Sequence, residues 1–224
     1  GNGMIANAFK QYIDDEGIII FASGVSNSKE QDDKEYEREC ILLKTFIHHS
    51  QKLVYFSTCS IFDRSLKDSK YIKHKNQIES FIEKNFENYL ILRLPNVVGK
   101  GGNLNTSFNF FKGKIQKTED IEIQENAMRY FIDIDDLVKI LPIIISDEKE
   151  NKKIINVCFD NKIKIINLIL LCESILGKRT NKHPIKGGIS YCVDNSYFMN
   201  IVKKNNLQVN KSYNVELLKK YLTI

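Results

Sequence analysis

The chain has 224 residues and a formal net charge of +5, with 42% hydrophobic residues. That length gives one large domain with a real core, and no apolar run reaches the ~18 residues of a membrane span. No signal peptide is recognised at its start, and its lysines are spread out, unlike the basic stripe of a nucleic-acid binder.

Residues 1–6 read GNGMIA, a G-x-G-x-x-A pattern, and Phe9 and Tyr12–Ile13 continue a helical apolar face. Gly1 and Gly3, with Met4 and Ile5 beside them, would let the backbone approach a pyrophosphate at the helix N-terminus. Such a motif should follow a strand. Either a first strand lies ahead of Gly1, which the downstream pattern favours, or Gly1–Gly3 are added residues before a native Met4.

IIIFAS (18–23) reads as a buried strand ending in Ala22-Ser23-Gly24. Residues 29–50 read as a helix, polar at first and then apolar at Cys40, Leu42, Leu43, Phe46 and Ile47. A strand over 52–57 follows, ending in Ser57 and Thr58, and a helix then carries Tyr71 and Lys75 at i and i+4. That spacing stacks phenol and ammonium on one helix face. With 10 tyrosines in a lysine-rich chain, about one such pair arises by chance, so the context carries the weight. Thr58 could hold a substrate oxygen while Tyr71 handles its proton. At ~4 Å and an effective dielectric of ~20, the Lys75 charge is worth roughly 4 kcal/mol, which would bring the phenol near neutral pH.

YLILRLPNVVG (89–99) is a strand ending in a Pro-Asn loop, followed by the basic loop Lys100-Gly101-Gly102 and a short helix over 105–114. In RYFIDIDDLV (129–138), Asp135 or Asp136 is expected to cap a helix running to about Ile145, which Pro142 would kink or end. Beyond it come a strand (152–159), a helix (166–177) closed by Gly177, a loop holding a solvated His183, a strand SYCVD (190–194), and helices at 196–207 and 214–222. The five cysteines show no CxxC spacing, which suits buried thiols in a reducing cytoplasm and gives no metal site.

The succession of strand, Ser-Thr, loop, Tyr-x-x-x-Lys helix, strand and Leu-Pro-Asn-Val-Val-Gly resembles the extended short-chain dehydrogenase/reductase family, the NAD-dependent epimerase/dehydratases acting on nucleotide sugars. The resemblance runs from Gly1 to about Leu207 and is best at 53–62, 71–79, 92–99 and 129–138. It implies an α/β fold: a Rossmann-type parallel sheet with helices on both faces over 1–150, and a small mixed C-terminal substrate lobe, mainly 151–224. Because Ala22-Ser23-Gly24 follows Ala6 so closely, the family's second and third strands, and the residue that reads the adenosine ribose, would be missing.

By the same resemblance Thr58, Tyr71 and Lys75 are catalytic. Gly1, Gly3, Met4, Ile5, Ala22, Ser23, Gly24, Tyr71, Lys75, Leu94 and Pro95 would bind NAD or NADP, and Ser60, Asn96 and Arg129 the nucleotide sugar, with Arg129 on its diphosphate. The family's dehydratases have Asp-Glu directly after this Thr, where Cys59-Ser60 stand. Ser-Thr-x-x-Ile-Phe-Asp looks most like the deoxysugar 4-keto reductases, implying an NAD(P)-dependent reductase of a 4-keto nucleotide sugar, in the bacterial cytoplasm and supplying surface polysaccharide. The alternatives are a nucleotide-sugar 4-epimerase of the same family and a non-catalytic nucleotide-sugar or cofactor-binding subunit. No nucleic-acid or membrane partner is implied. A homodimer is expected through the Tyr-x-x-x-Lys helix, with Ile72, Phe81 and Ile82 in that interface or in the core.

Overall fold

The structure, a computed structural model, describes residues 1–102, 106–207 and 209–223. Its centre is a parallel sheet of β1 (Ile18–Phe21), β2 (Lys52–Thr58), β3 (Tyr89–Leu94) and β8 (Lys153–Asn156), in that spatial order. The short glycine-led helix α1 (Met4–Ala8) precedes β1. Helices α2 (Asp33–Lys44) and α3 (Lys70–Asn85) make the crossovers between successive strands. Parallel neighbours require such a crossover, and a parallel sheet is covered on both faces, here by α2 and α3 on one and by the helix Ile134–Ile145 on the other.

Alternation along β2 explains why. Leu53 and Tyr55 point to one face, where Leu43 of α2 and Ile78 and Ile82 of α3 cover them. Val54 and Phe56 point to the other, against Phe9 and the helix α5 (Ile134–Ile145). All four strand residues are buried. Among the described residues no strand pairs with the outer edge of β1.

The second lobe is built from pairs of short strands. β4 (Asn96–Val98) pairs in parallel with β7 (Phe131–Asp133), β5 (Ile121–Gln124) in parallel with β10 (Lys182–Ile185), and β6 (Met128–Arg129) antiparallel with β9 (Ile163–Lys164). Helices α4 (Ser107–Gln116), α6 (Ile165–Leu176) and α8 (Tyr213–Leu222) enclose its core, with Phe108, Ile115, Leu168, Ile169 and Leu218 buried together. Helix α7 (Ser196–Lys204) instead returns to the first core through Phe198 and Val202. Strand β8 belongs to the parallel sheet although it follows residue 150, so the chain passes between the lobes more than once.

Several expectations are corrected. The helix expected from residue 29 starts at Asp33, because Asp32 caps it by accepting from the Lys34 amide at 3.0 Å. Helix α5 is capped by Asp133, which accepts from the Asp135 amide at 2.9 Å, and not by Asp135 or Asp136. It continues through Pro142 to Ile145. A helical proline costs ~3 kcal/mol, and burial of Ile140, Leu141, Ile144 and Ile145 at ~1.5–3 kcal/mol each outweighs that.

Residues 190–194 form no strand; Tyr191 and Val193 insert into a small core with Cys59, Tyr130 and Cys158. His183 is exposed as expected but pairs with Asp120 at 2.9 Å on β10. The helix expected from Asn105 is seen from Ser107, and residue 105 lies outside the described residues. Gly177 ends α6 in the left-handed conformation at φ 64°, as its position implied. Ile72 and Ile82 are buried within the chain, which removes them from any dimer face.

Candidate active site

Ligands of open α/β sheets gather beyond the carboxyl ends of the strands. Registration of Thr58 against Leu94 brings the ends of β2 and β3 level there. A cavity of about 670 Å³ opens at this edge, within the ~300–1,000 Å³ of small-molecule sites. Its walls include Gly1, Gly3, Met4 and Ile5 from the N-terminal segment, Ala22, Ser23 and Gly24 after β1, and Leu94, Pro95 and Asn96 after β3. Thr58, Ser60, Tyr71 and Lys75 complete the predicted set.

Arg129 is the exception. It does not line the cavity, and its Nη1 lies 3.1 Å from the buried Asp63 carboxylate and donates to the Met128 carbonyl at 2.8 Å. Asp63 closes the Ile-Phe-Asp stretch and caps the turn at Ser65. The sequence pattern offered no sign that this acid would claim the guanidinium.

Helix α3 starts at Ser69, whose hydroxyl accepts from the Ile72 amide. It buries Tyr71, Lys75, Ile78 and Ile82 along one face. Two polar levels fix it to the sheet. At the lower one, Glu79 accepts from Ser57 on β2 at 2.5 Å and from Arg93 Nε on β3 at 3.0 Å. At the upper one, Lys75 Nζ donates to the Tyr55 hydroxyl at 2.8 Å and to Glu39 Oε1 at 3.1 Å. The twelve residues between Thr58 and Tyr71 are taken up by two short 3-10 turns, at Cys59–Phe62 and Arg64–Leu66.

Thr58 Oγ1 accepts from the Ser60 amide at 3.0 Å, which leaves its hydrogen to donate elsewhere. Tyr71 faces Thr58 and lies under Lys75, whose Nζ is 5.9 Å from the ring centroid. Against the near-neutral phenol expected from Lys75, burial pushes Tyr71 up to about 12, Thr58 pulls against that rise, and the Glu39 charge adds to it. Burial also lowers Lys75, opposed by Glu39.

Sequence reading missed Glu39, Tyr55 and His74. Glu39 has no exposed surface and accepts four hydrogen bonds, from Lys75, Tyr55, His74 Nε2 and the Val25 amide. Burial pushes its carboxyl up, but His74, the Lys75 charge, Tyr55 and Val25 outweigh that and hold it at about 2. A signal existed: Tyr36, Glu39 and Leu43 share the buried stripe of α2, and an acid on such a stripe needs a partner.

A family model described as "NAD dependent epimerase/dehydratase family" matches residues 2–158. The chain belongs to that family. Members are NAD-dependent enzymes of the short-chain dehydrogenase/reductase type, and NAD or NADP is their cofactor. No curated protein matches this family member by sequence.

Among solved structures, it is similar to a UDP-glucuronic acid 4-epimerase from Bacillus cereus in complex with UDP-glucuronic acid and NAD. The TM-score is 0.72 at 18% identity, covering 99% of this chain and 79% of that one. It is also similar to a UDP-glucose 4-epimerase from Thermus thermophilus in complex with NAD, at TM-score 0.70 and 13% identity, covering 98% and 81%. A third is the dTDP-glucose 4,6-dehydratase from Bacillus anthracis str. Ames, also with NAD, at TM-score 0.68 and 11% identity, covering 92% and 73%.

A side chain at Gly3 would meet nothing within 4 Å, so this wall of the cavity leaves room for an approaching phosphate.

Proposed function

We propose that this family member is an NAD(P)-dependent reductase of a 4-keto nucleotide sugar. The observation that carries this reading is that Thr58, Tyr71 and Lys75 line one cavity while Cys59 and Ser60, and no carboxylate, follow Thr58. Reduction of a carbonyl needs a proton delivered to its oxygen, and a neutral phenol is a donor. NADH or NADPH supplies the hydride when bound, against Gly1, Gly3, Met4 and Ile5 on one side and Leu94 and Pro95 on the other. Thr58 donates its hydrogen to the sugar carbonyl oxygen, and Tyr71 passes its proton to the same oxygen. Lys75 then faces the phenolate left behind. Ser60 and Asn96 contact the sugar nucleotide.

A 4-epimerase would use the same Tyr71 first to remove and then to return the proton. A dehydratase needs a carboxylate next to Thr58. In this chain Cys59 is fully buried there, with its Sγ donating to the Arg93 carbonyl at 3.2 Å. Arg129 reaches a substrate diphosphate only by leaving or sharing Asp63.

Calorimetric titration of NADH and of NADPH into the whole chain tests the reading. It should be followed by loss of reduced-nicotinamide absorbance on adding a nucleoside-diphosphate 4-keto-6-deoxyhexose. Micromolar binding of one cofactor and its oxidation by that sugar are expected. Binding of neither would overturn the reading in favour of a nucleotide-sugar-binding subunit.

A further inference from the structure

The geometry points to Arg38 as the residue that makes this cavity choose NADPH over NADH, by taking the 2′-phosphate on the adenosine ribose. That role rests on the proposed reading of the cavity as the dinucleotide site, and it holds for a reductase and an epimerase alike.

Arg38 stands on α2 beside the buried Glu39, and the two fasten that helix to the loop after β1. Glu39 accepts from the Val25 amide at 2.7 Å, and Arg38 Nη1 donates to the Ser23 carbonyl at 3.1 Å. The guanidinium is thereby held in the cavity wall, which Ser23, Ser26 and Ser28 also line. Among the described residues two cationic side chains line this cavity, Arg38 and Lys75. Lys75 is buried and bonded to Glu39 and Tyr55, whereas Arg38 is 46% exposed.

Arg38 also touches Glu35. Its Nε donates to Glu35 Oε2 at 3.0 Å, and its Nη2 lies 3.0 Å from the same oxygen. These contacts and the Ser23 carbonyl engage three of the five guanidinium N–H groups. One N–H on Nη1 and one on Nη2 are left for a phosphate, which a guanidinium suits in shape and charge. An exposed pair such as Arg38–Glu35 contributes little, so Glu35 is readily given up for that phosphate.

Place within the cavity selects which phosphate this is. Thr58, Tyr71, Leu94 and Pro95 stand at the ends of β2 and β3 and beside them, which puts the nicotinamide half there. Arg38 is tied to Ser23 beyond β1, the next strand outwards, so the adenosine half extends towards it. A side chain at Gly1 would come within 3.2 Å of Ser23 Oγ. The glycine wall open to the diphosphate and the Arg38 wall therefore adjoin at Ser23.

A carboxylate on the ribose hydroxyls favours NAD, and an arginine accommodates the extra phosphate of NADP. Among the described residues no acidic side chain lines this cavity. The acids between α1 and β1, Asp14, Asp15 and Glu16, sit at the start of β1, at the opposite end from Ser23. There Asp15 accepts from the Gly17 and Ile18 amides at 2.8 and 2.9 Å.

Calorimetry on the whole chain tests this with NADPH and NADH. Adenosine 5′-phosphate and adenosine 2′,5′-bisphosphate, which carry the adenosine half without nicotinamide, are titrated in parallel. NADPH is expected to bind at least ~10-fold more tightly than NADH, as hydrogen bonds between charged groups allow. Arg38→Met should weaken NADPH by ~10-fold or more and leave NADH within about threefold. Arg38→Lys should restore part of the difference, since it returns the charge without the fork.

A parent without a preference for NADPH overturns the proposal. So does equal weakening of both cofactors in Arg38→Met, which would mean a loosened wall or a guanidinium on the diphosphate they share. If neither cofactor binds, the two adenosine phosphates decide. An Arg38-dependent preference for the bisphosphate keeps the phosphate site and loses the reductase, and no such preference overturns both.

Discussion

Acid should weaken this protein through Glu39, and Glu39→Gln should remove that part of the effect. The carboxyl sits at about 2 in the folded chain against an ordinary 4.5. Its folded value is depressed, so its stabilisation is complete above about pH 4.5 and is lost as pH falls towards about 2. The displacement is worth ~3 kcal/mol in full, of which ~2 kcal/mol is gone by about pH 3. Glu39 is fully buried, so solvent screening takes little from this figure.

Near neutral pH, Glu39→Gln leaves Lys75 without its carboxylate and should cost ~3–5 kcal/mol. Urea unfolding followed by circular dichroism, parent against variant and stepwise from neutral pH to about pH 3, gives the comparison. The gap between the two should close by ~2 kcal/mol over that range, equivalent to ~4–8 °C in Tm for a chain of this size. A gap that stays constant as the pH falls would refute the reasoning, since it would mean that Glu39 binds its proton equally in both states.

Gly24→Ala places a methyl group 2.9 Å from both Glu39 Oε1 and Lys75 Nζ. It should lower Tm through a loss of ~1–3 kcal/mol and weaken NADH binding by calorimetry; an unchanged Tm would show that the pair has slack. Tyr71→Phe should reduce carbonyl reduction by ~10²–10⁴-fold while leaving cofactor affinity within about threefold of the parent, read from paired rate and calorimetric measurements. Retained turnover would remove Tyr71 as the donor. Asp133 accepts from Lys220 and from the Tyr221 hydroxyl at 2.6 Å each, tying α8 to the start of α5. Asp133→Asn should therefore cost ~1–3 kcal/mol and speed amide exchange in α8 more than in α3; equal exchange in both would show that α8 is held by its apolar face alone.

The parallel sheet was legible because β2 and β3 are runs buried on both faces, and such strands need no alternation to be seen. Thr58, Tyr71 and Leu94 were readable only through the order of strand end, Tyr-x-x-x-Lys helix and second strand end that resembles the family, since the i and i+4 spacing alone arises by chance; the register sets Thr58 level with Leu94. What escaped reading depends on contacts between distant elements. Glu39 looks like one more acid in the polar run KEQDDKEYERE until α2 is laid against α3 and β2. Arg129 looks like a free guanidinium until Asp63, 66 positions away in sequence, is seen beside it. The failed strand at 190–194 has the same origin, since its alternating apolar residues serve a side-chain cluster with Cys59 and Cys158 and no neighbouring strand. Pro142 misled for an energetic reason, because local preference was set against the burial of a whole helical face.

The outer edge of β1 does not support the proton-handling groups, and the element contacts show why. Thr58 hangs from β2, which is paired on both sides, by β1 and β3. Tyr71 and Lys75 hang from α3, which Glu79 fastens to β2 and β3 and Lys75 fastens to β2 and α2. None of these supports uses the outer edge of β1. The proton-handling groups therefore keep a framework that does not depend on the outer edge of β1, beside which Gly1 and Gly3 line the cavity. The strength of dinucleotide binding and the pH behaviour of Tyr71 are thus separable properties, so a variant at Gly3 should change the first and leave the second in place.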